Sequence, residues 1–174
     1  MRVPTVAVVL AVLSLFVTST VAQAANGATV ETSTVSFVLT SAGCSQLPAG
    51  TTVTGRGTQK SVTVERTDAS GITTITNATH AAGTATDQAG NVYVFQYSNE
   101  FRLSNTVADP GVFSGLMTDA FALAGPGPAR LQNGFVAELT APPDFSTVQW
   151  KVRSVHGDPI SFASGPVVAH CDPL

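Results

Sequence analysis

Charged residues are scarce in this chain. Asp, Glu, Lys and Arg make up only 11% of its 174 residues, with 11 acidic against 8 basic side chains. A chain with 44% apolar residues and so little charge is the opposite of a disordered sequence. The formal net charge of -3 also argues against a nucleic-acid-binding surface, which is normally basic. We therefore expect a folded protein with no nucleic-acid partner.

Long apolar runs are also missing, except near the N-terminus. Arg2, the apolar residues 6–17 and the small-x-small sequence Ala22-Gln23-Ala24 follow one another as in a secretory signal peptide. The apolar run is shorter than the about 20 residues that a membrane-spanning helix needs. We predict that residues 1–24 are a cleaved signal peptide and that residues 25–174 form a single all-β domain. The mature protein is then secreted and extracellular, with no stable membrane insertion.

Cysteine is limited to two residues, Cys44 and Cys171. In an exported protein such a pair most simply forms one disulfide. The wide spacing suits neither a redox motif nor a zinc site, and the sequence has no phosphate-binding glycine loop, EF-hand or His-Glu-x-x-His motif. We therefore expect no metal and no cofactor.

Apolar and polar residues alternate with a period of two along most of the chain after the leader. Thr and Val, which favour pleated, half-buried strands, are abundant in these segments. Turn signals rich in Gly, Pro, Asp and Asn separate the segments, and no helical pattern is present. The predicted strands lie at about 30–40, 52–58, 60–67, 71–81, 83–87, 91–98, 100–107, 111–124, 130–140, 145–156 and 160–168, with some of them merging.

This pattern predicts an all-β fold, with a small antiparallel closed β-barrel of about eight to ten strands as the first choice. Consecutive hairpins suit a meander, and closure removes the strand edges that would invite aggregation. A two-sheet β-sandwich is the alternative.

Three stretches of the chain resemble small secreted proteins of unknown function from high-GC Gram-positive bacteria. They lie at residues 79–87, 90–95 and 156–159. The strand-rich sequence pattern is also similar to that of allene oxide cyclase-like and dirigent-like β-barrels. The resemblance implies a secreted, strand-rich protein, and no catalytic residue of either barrel family is carried over to this chain.

Two charged residues share the parity of apolar neighbours and are therefore expected to face inward. Arg66 follows Val62 and Val64, and Asp119 precedes Phe121 at the same spacing. An inward charge is costly unless it is paired, so Arg66 and Asp119 are candidates to meet each other.

Two histidines extend this polar set. His156 follows Trp150 with the same parity, and His80 continues an alternating segment of Thr and Ala. Either histidine could exchange a proton with Asp119, and Arg66 could hold a carboxylate or phenolate. The alternative is structural: a charge at a strand end can reach solvent, and a β-bulge can reverse the parity.

The sequence thus predicts a secreted, non-catalytic module that mediates an extracellular interaction or binds a small apolar or amphipathic ligand. The alternative is a small barrel enzyme, isomerase-like or cyclase-like, that uses an inward acid–base pair. The two classes differ in the interior of the fold. An open cavity lined by the polar set favours a ligand or catalysis, whereas an interaction domain has an interior filled by Phe37, Phe95, Phe121 and Trp150.

We predict that Cys44 and Cys171 of the secreted protein form one intramolecular disulfide. The bridge would close a loop of more than a hundred residues and stabilise the fold by about 4–5 kcal/mol on the chain-entropy model. A thiol assay on denatured, unreduced protein should find essentially no free thiol. Two reactive thiols per chain would contradict the bridge.

Overall fold

The structure, a computed structural model, describes residues 20–23 and 27–157. Every regular element in that part of the chain is a β-strand, so the all-β prediction is confirmed. The strands are β1 (Thr20–Gln23), β2 (Ala28–Thr40), β3 (Thr52–Thr67), β4 (Thr73–Asp87), β5 (Val92–Ser104), β6 (Phe113–Ala124), β7 (Leu131–Ala141) and β8 (Gln149–His156).

The strands form one antiparallel meander in which spatial order equals chain order, β1-β2-β3-β4-β5-β6-β7-β8. Within the described residues β8 does not pair with β1, so the sheet is open there. Strand β1 lies inside the predicted leader, and the predicted strand at 160–168 lies outside the described residues. The same part of the chain contains no helix long and apolar enough to cross a membrane.

The strands are longer than the sequence indicates, because three predicted pairs merge into β3, β4 and β5. These strands have 16, 15 and 13 residues, whereas most strands have about 5–6. The merged strands keep an unbroken register with their neighbours. The polar residues that separate the shorter predicted strands are therefore paired positions within continuous strands. The turns lie between the merged strands.

The two faces of the sheet are unlike. From β2 to β7 the odd-numbered residues face inward, and they include almost all of the buried side chains. On this inner face the Phe37 ring contacts the Phe95 ring at a centroid distance of 4.9 Å and the Phe121 ring at 5.6 Å. Phe37 belongs to β2 and Phe121 to β6, which are four places apart in the sheet. The sheet must therefore curve strongly around these rings.

Glycines on β3 and β4 leave the space that the rings occupy. A Cβ atom at Gly55 would overlap the Phe37 ring, and one at Gly57 or Gly83 would overlap the Phe95 ring. Gly57 and Gly83 are also register partners, so the two strands present a smooth surface there. Glycine inside a strand often marks such a close approach.

A second apolar cluster fills the other end of the inner face. Leu103, Phe113 and Leu139 form its buried part, and Trp150 packs against it. The Trp150 ring also lies edge-on to Phe135 at a centroid distance of 6.3 Å. In the sequence Trp150 shares the parity of Val148 and Val152, which predicts that it faces the core, and these contacts confirm that direction.

A buried carboxylate holds the turn between β4 and β5. Asp87 accepts hydrogen bonds from the backbone N–H groups of Ala89 and Asn91, both at 2.9 Å, and from the Asn91 side chain at 2.8 Å. The Tyr93 hydroxyl donates a fourth bond at 2.8 Å and accepts one from the Ala129 N–H at 3.4 Å. The Asp87–Tyr93 pair therefore ties this turn to the β6–β7 connection.

We predict that Asp87→Asn makes the stability of the protein less sensitive to acid. The Asn91 side chain, together with Tyr93 and the turn N–H groups, holds the pKa of Asp87 below its ordinary value of 3.8. A lowered folded-state pKa stabilises the fold above the unfolded pKa, and this contribution is lost as the pH falls through the folded pKa. In urea titrations between pH 7 and pH 2.5, the variant should start less stable and lose less stability below about pH 4.

Asp109→Asn is the matched control, because Asp109 is exposed and its carboxylate accepts no hydrogen bond within the described residues. Its acid profile should follow that of the unmodified protein. An Asp87→Asn profile that also does so would show that the turn does not depend on the carboxylate charge.

Candidate functional site

A band of polar side chains crosses the inner face between the two apolar clusters. We call it the inner polar band; it consists of Ser61, Thr63, Asn77, Thr79, Tyr97, Asn99 and Asp119. Asp119 is only 5% exposed, as its inward parity predicts. The Tyr97 hydroxyl and the Asn99 side-chain amide each donate a hydrogen bond of 2.8 Å to its Oδ2 atom. Both of these donors to Oδ2 are neutral.

The remaining members of the inner polar band hydrogen-bond to one another. The Asn77 amide donates to Ser61 at 2.9 Å and to Thr63 at 2.8 Å. The Thr79 hydroxyl donates its proton to the Asn77 carbonyl oxygen at 3.0 Å and lies 2.9 Å from the Ser61 hydroxyl, from which it can accept a hydrogen bond. These mutual bonds allow a polar row to lie on the inner face, because buried polar groups are costly only when they lack partners.

The Tyr97–Asp119 pair is a fixed donor and acceptor at neutral pH. Burial of the phenol, followed by the adjacent charge of Asp119, raises the pKa of Tyr97 far above its usual 10.0. A phenol that keeps its proton donates a hydrogen bond and does not act as a general base. Tyr97 therefore serves as a hydrogen-bond donor to Asp119 in this structure.

Arg66 does not meet Asp119, so this part of the prediction is wrong. The strand pairings from β6 to β3 place Asp119 at the same height in the sheet as Ser61 on β3. Arg66 lies five residues further along β3. That offset is about 16 Å at the usual rise per residue. Arg66 is also exposed and faces outward, because along this part of β3 the inner face carries the inner polar band while Val62 and Val64 face outward.

Both histidines also face outward, which corrects their predicted inward direction. His80 has an even number on β4, its side chain is 60% exposed, and its Nε2 atom lies 3.6 Å from Glu100 Oε1. On β8 a bulge inserts Arg153 between the partners of Val136 and Ala137. His156 therefore pairs with outward-facing Gly134 and does not continue the inward parity of Trp150.

A groove of about 880 Å³ crosses the outer face from β3 to β8. We call it the outer groove. Small residues lie along its middle, namely Ala82, Ala120, Ala122 and Gly134. Lys60 and His80 lie at one end and His156 at the other, with Ser98 and Thr118 between them. The structure thus brings both predicted histidines to one groove. Asp119 also belongs to the lining of this groove, while its carboxylate is held on the inner face by Tyr97 and Asn99.

Charge is segregated between the two faces of the sheet. All basic and histidine side chains on the described strands face outward, and we call this set the outer cationic face: Arg56, Lys60, Arg66, His80, Arg102, Lys151, Arg153 and His156. Of the carboxylates on the described strands, only those of Glu100 and Glu138 face the same way. Glu100 is close to His80, and a hydrogen bond from Arg153 lowers the pKa of Glu138.

The described residues do not assemble the inward acid–base pair that the enzyme alternative requires, because Asp119 and the two histidines lie on opposite faces. Residues 20–23 and 27–157 also contain no group of three or more His, Cys, Asp or Glu side chains that could hold a metal ion. Cys44 is fully buried, while Cys171 lies outside the described residues, so the disulfide stays a prediction.

Sequence reasoning misses two groups of residues at this site. Tyr97 and Asn99 are the donors to Asp119, and their shared odd parity with Phe95 is a signal that could identify them. Arg102 joins the outer cationic face, and its even number on β5 is the corresponding signal.

We predict that Asp119→Asn lowers the free energy of unfolding by about 1.5–3 kcal/mol, the usual worth of hydrogen bonds to a charged group. In a double-mutant cycle the loss should be coupled to Tyr97→Phe and additive with Arg66→Met, because Tyr97 donates to Asp119 and Arg66 lies on the other face. Chemical denaturation measures both cycles. Coupling to Arg66 but not to Tyr97 would contradict this geometry.

Comparison of the chain with known protein families, with curated proteins and with solved structures gives no match. The resemblance to small secreted bacterial proteins and to allene oxide cyclase-like and dirigent-like barrels therefore stays a prediction. The geometry itself presents two surfaces, an inner face that buries the carboxylates of Asp87 and Asp119 and an outer face that collects the cations.

Proposed function

We propose that this protein is a non-catalytic, extracellular binding module that holds an anionic polysaccharide on the outer face of its sheet. The observation that carries the proposal is the segregation of charge. A chain with a net charge of -3 places every basic side chain of its described strands on one face. A surface of one sign attracts a ligand of the other sign, whatever the net charge of the molecule.

The packed interior favours binding on the outside. The rings of Phe37, Phe95 and Phe121 contact one another on the inner face, where a small apolar or amphipathic ligand would otherwise lie. The strong curvature that these contacts require supports the closed barrel predicted from the sequence, with the two-sheet sandwich as the alternative.

The outer groove suits an extended, hydrated ligand. It spans six strands, which corresponds to about 24 Å at the usual strand spacing. Its hydroxyl and amide side chains, including Ser98, Thr118 and Gln132, can hydrogen-bond to sugar hydroxyls and acidic groups. On the described strands every aromatic side chain faces inward, so the outer face offers no platform for stacking nucleic-acid bases.

The first test measures binding of dextran sulfate by fluorescence anisotropy, with neutral dextran of equal length as the reference ligand. We expect binding of dextran sulfate only, and steep weakening as sodium chloride rises from about 50 to about 300 mM, because exposed charges are screened. Equal binding of both polymers, or duplex DNA binding as tightly as dextran sulfate, would overturn the proposal.

A matched pair of variants separates the outer face from net charge. Glu100→Gln and Glu65→Gln each remove one negative charge, but Glu100 faces outward and Glu65 inward. We expect Glu100→Gln to tighten dextran sulfate binding about two- to threefold and Glu65→Gln to change it less. Equal effects would show that net charge, and not the outer face, attracts the polymer.

A further inference from the structure

Two arginines flank β4 near the turn between β3 and β4. Arg66 on β3 pairs with Thr74, and Arg102 on β5 pairs with Thr76. Their Cα atoms are about 12 Å apart, from two strand spacings and an offset of two residues. Both side chains line one cleft of about 560 Å³, which is separate from the outer groove. The two guanidinium groups can therefore reach a common ligand across β4.

Neither guanidinium is neutralised within the described part of the chain. The ion pairs there involve His80 with Glu100 and Arg153 with Glu138 only. Arg66 and Arg102 are both exposed and free to reorient. A guanidinium presents a planar fork of donors that matches the oxygen atoms of a sulfate or phosphate group.

One carboxylate in the cleft, that of Asp68, is bonded within its own turn. The Oδ1 atom of Asp68 accepts hydrogen bonds from the Ser70 N–H at 2.9 Å, the Ser70 hydroxyl at 2.6 Å and the Ile72 N–H at 3.0 Å. These bonds hold Asp68 in its own turn, where an Asn could replace it without changing the backbone. Its charge still opposes an anion, so it lowers the affinity of the cleft.

We infer that the cleft between Arg66 and Arg102 binds one tetrahedral oxyanion, with both guanidinium groups and the Thr76 hydroxyl as donors. The inference rests on the proposed function in one respect only, namely that the polysaccharide carries the anion as a sulfate or phosphate substituent. A free inorganic anion has the same donor requirements, and the experiment distinguishes the two sources.

Inorganic sulfate is the first probe. Its binding is monitored through the NMR signals of the arginine Nε–H groups, and a titration with sodium chloride at equal ionic strength is the reference. Arg66→Gln and Arg102→Gln should each weaken sulfate binding at least about tenfold, because each removes charge-assisted hydrogen bonds. Arg56→Gln is the matched control: Arg56 faces outward on β3 but lies outside the cleft, and its loss should have little effect. Asp68→Asn should tighten binding about two- to threefold.

Equal effects of Arg56→Gln and the two cleft variants, or an Asp68→Asn variant that binds sulfate no more tightly, would overturn the inference. Thermal melts of the variants separate binding from folding. We expect the variants of the exposed arginines to keep the melting temperature of the unmodified protein, and the gain of binding by Asp68→Asn is not a result that a folding defect would produce.

Dextran sulfate is the second probe. Arg66→Gln and Arg56→Gln each remove one charge from the outer cationic face, so a larger loss of polymer affinity for Arg66→Gln than for Arg56→Gln supports a polymer-borne anion in the cleft. Equal losses of polymer affinity in the two variants, beside lost sulfate binding in Arg66→Gln, overturn the polymer as the carrier and leave a free anion as the ligand. If the unmodified protein does not bind dextran sulfate, the proposed function is overturned. The sulfate titration then still shows whether the cleft binds an oxyanion.

Discussion

The packing of aromatic rings against glycine backbone determines the shape of this sheet. Phe37 and Phe95 occupy the space that side chains at Gly55, Gly57 and Gly83 would otherwise fill. Only then can β2 approach β6 closely enough for their phenylalanine rings to touch. A flat meander of this length would leave these rings in water, so the glycines convert a ladder of hairpins into a fold with an interior.

Curvature gives the two faces different chemistry. The inner face takes up the rings and tolerates polar residues only where they bond to one another, as Asn77 does with Ser61 and Thr63. Basic residues cannot be accommodated there without partners, and the described strands place all of them on the convex side. The surface charge proposed to attract a polyanion is therefore a consequence of how the core is built.

The alternation of residues predicts the strands, their turns and the inward direction of Asp119, because one face of most strands is apolar. It fails for Arg66 and His80, where the inner polar band replaces apolar residues and Val62 and Val64 occupy the outer face. It fails for His156 because one extra residue, Arg153, reverses the parity of β8. Polar residues that hydrogen-bond to one another leave no pattern of apolar residues in the sequence, and neither does a β-bulge. The alternation of apolar residues therefore cannot reveal either feature.

The identity of chain order and spatial order bears on how the protein folds as it emerges N-terminus first. Each new strand docks on the one just completed, so no strand must be inserted between two others and each ladder closes only a short loop. The ring contact between β2 and β6 is different, since it requires five consecutive strands to be in place. The strand pairings are thus local in sequence, whereas the ring contact between Phe37 and Phe121 joins strands that are distant in sequence.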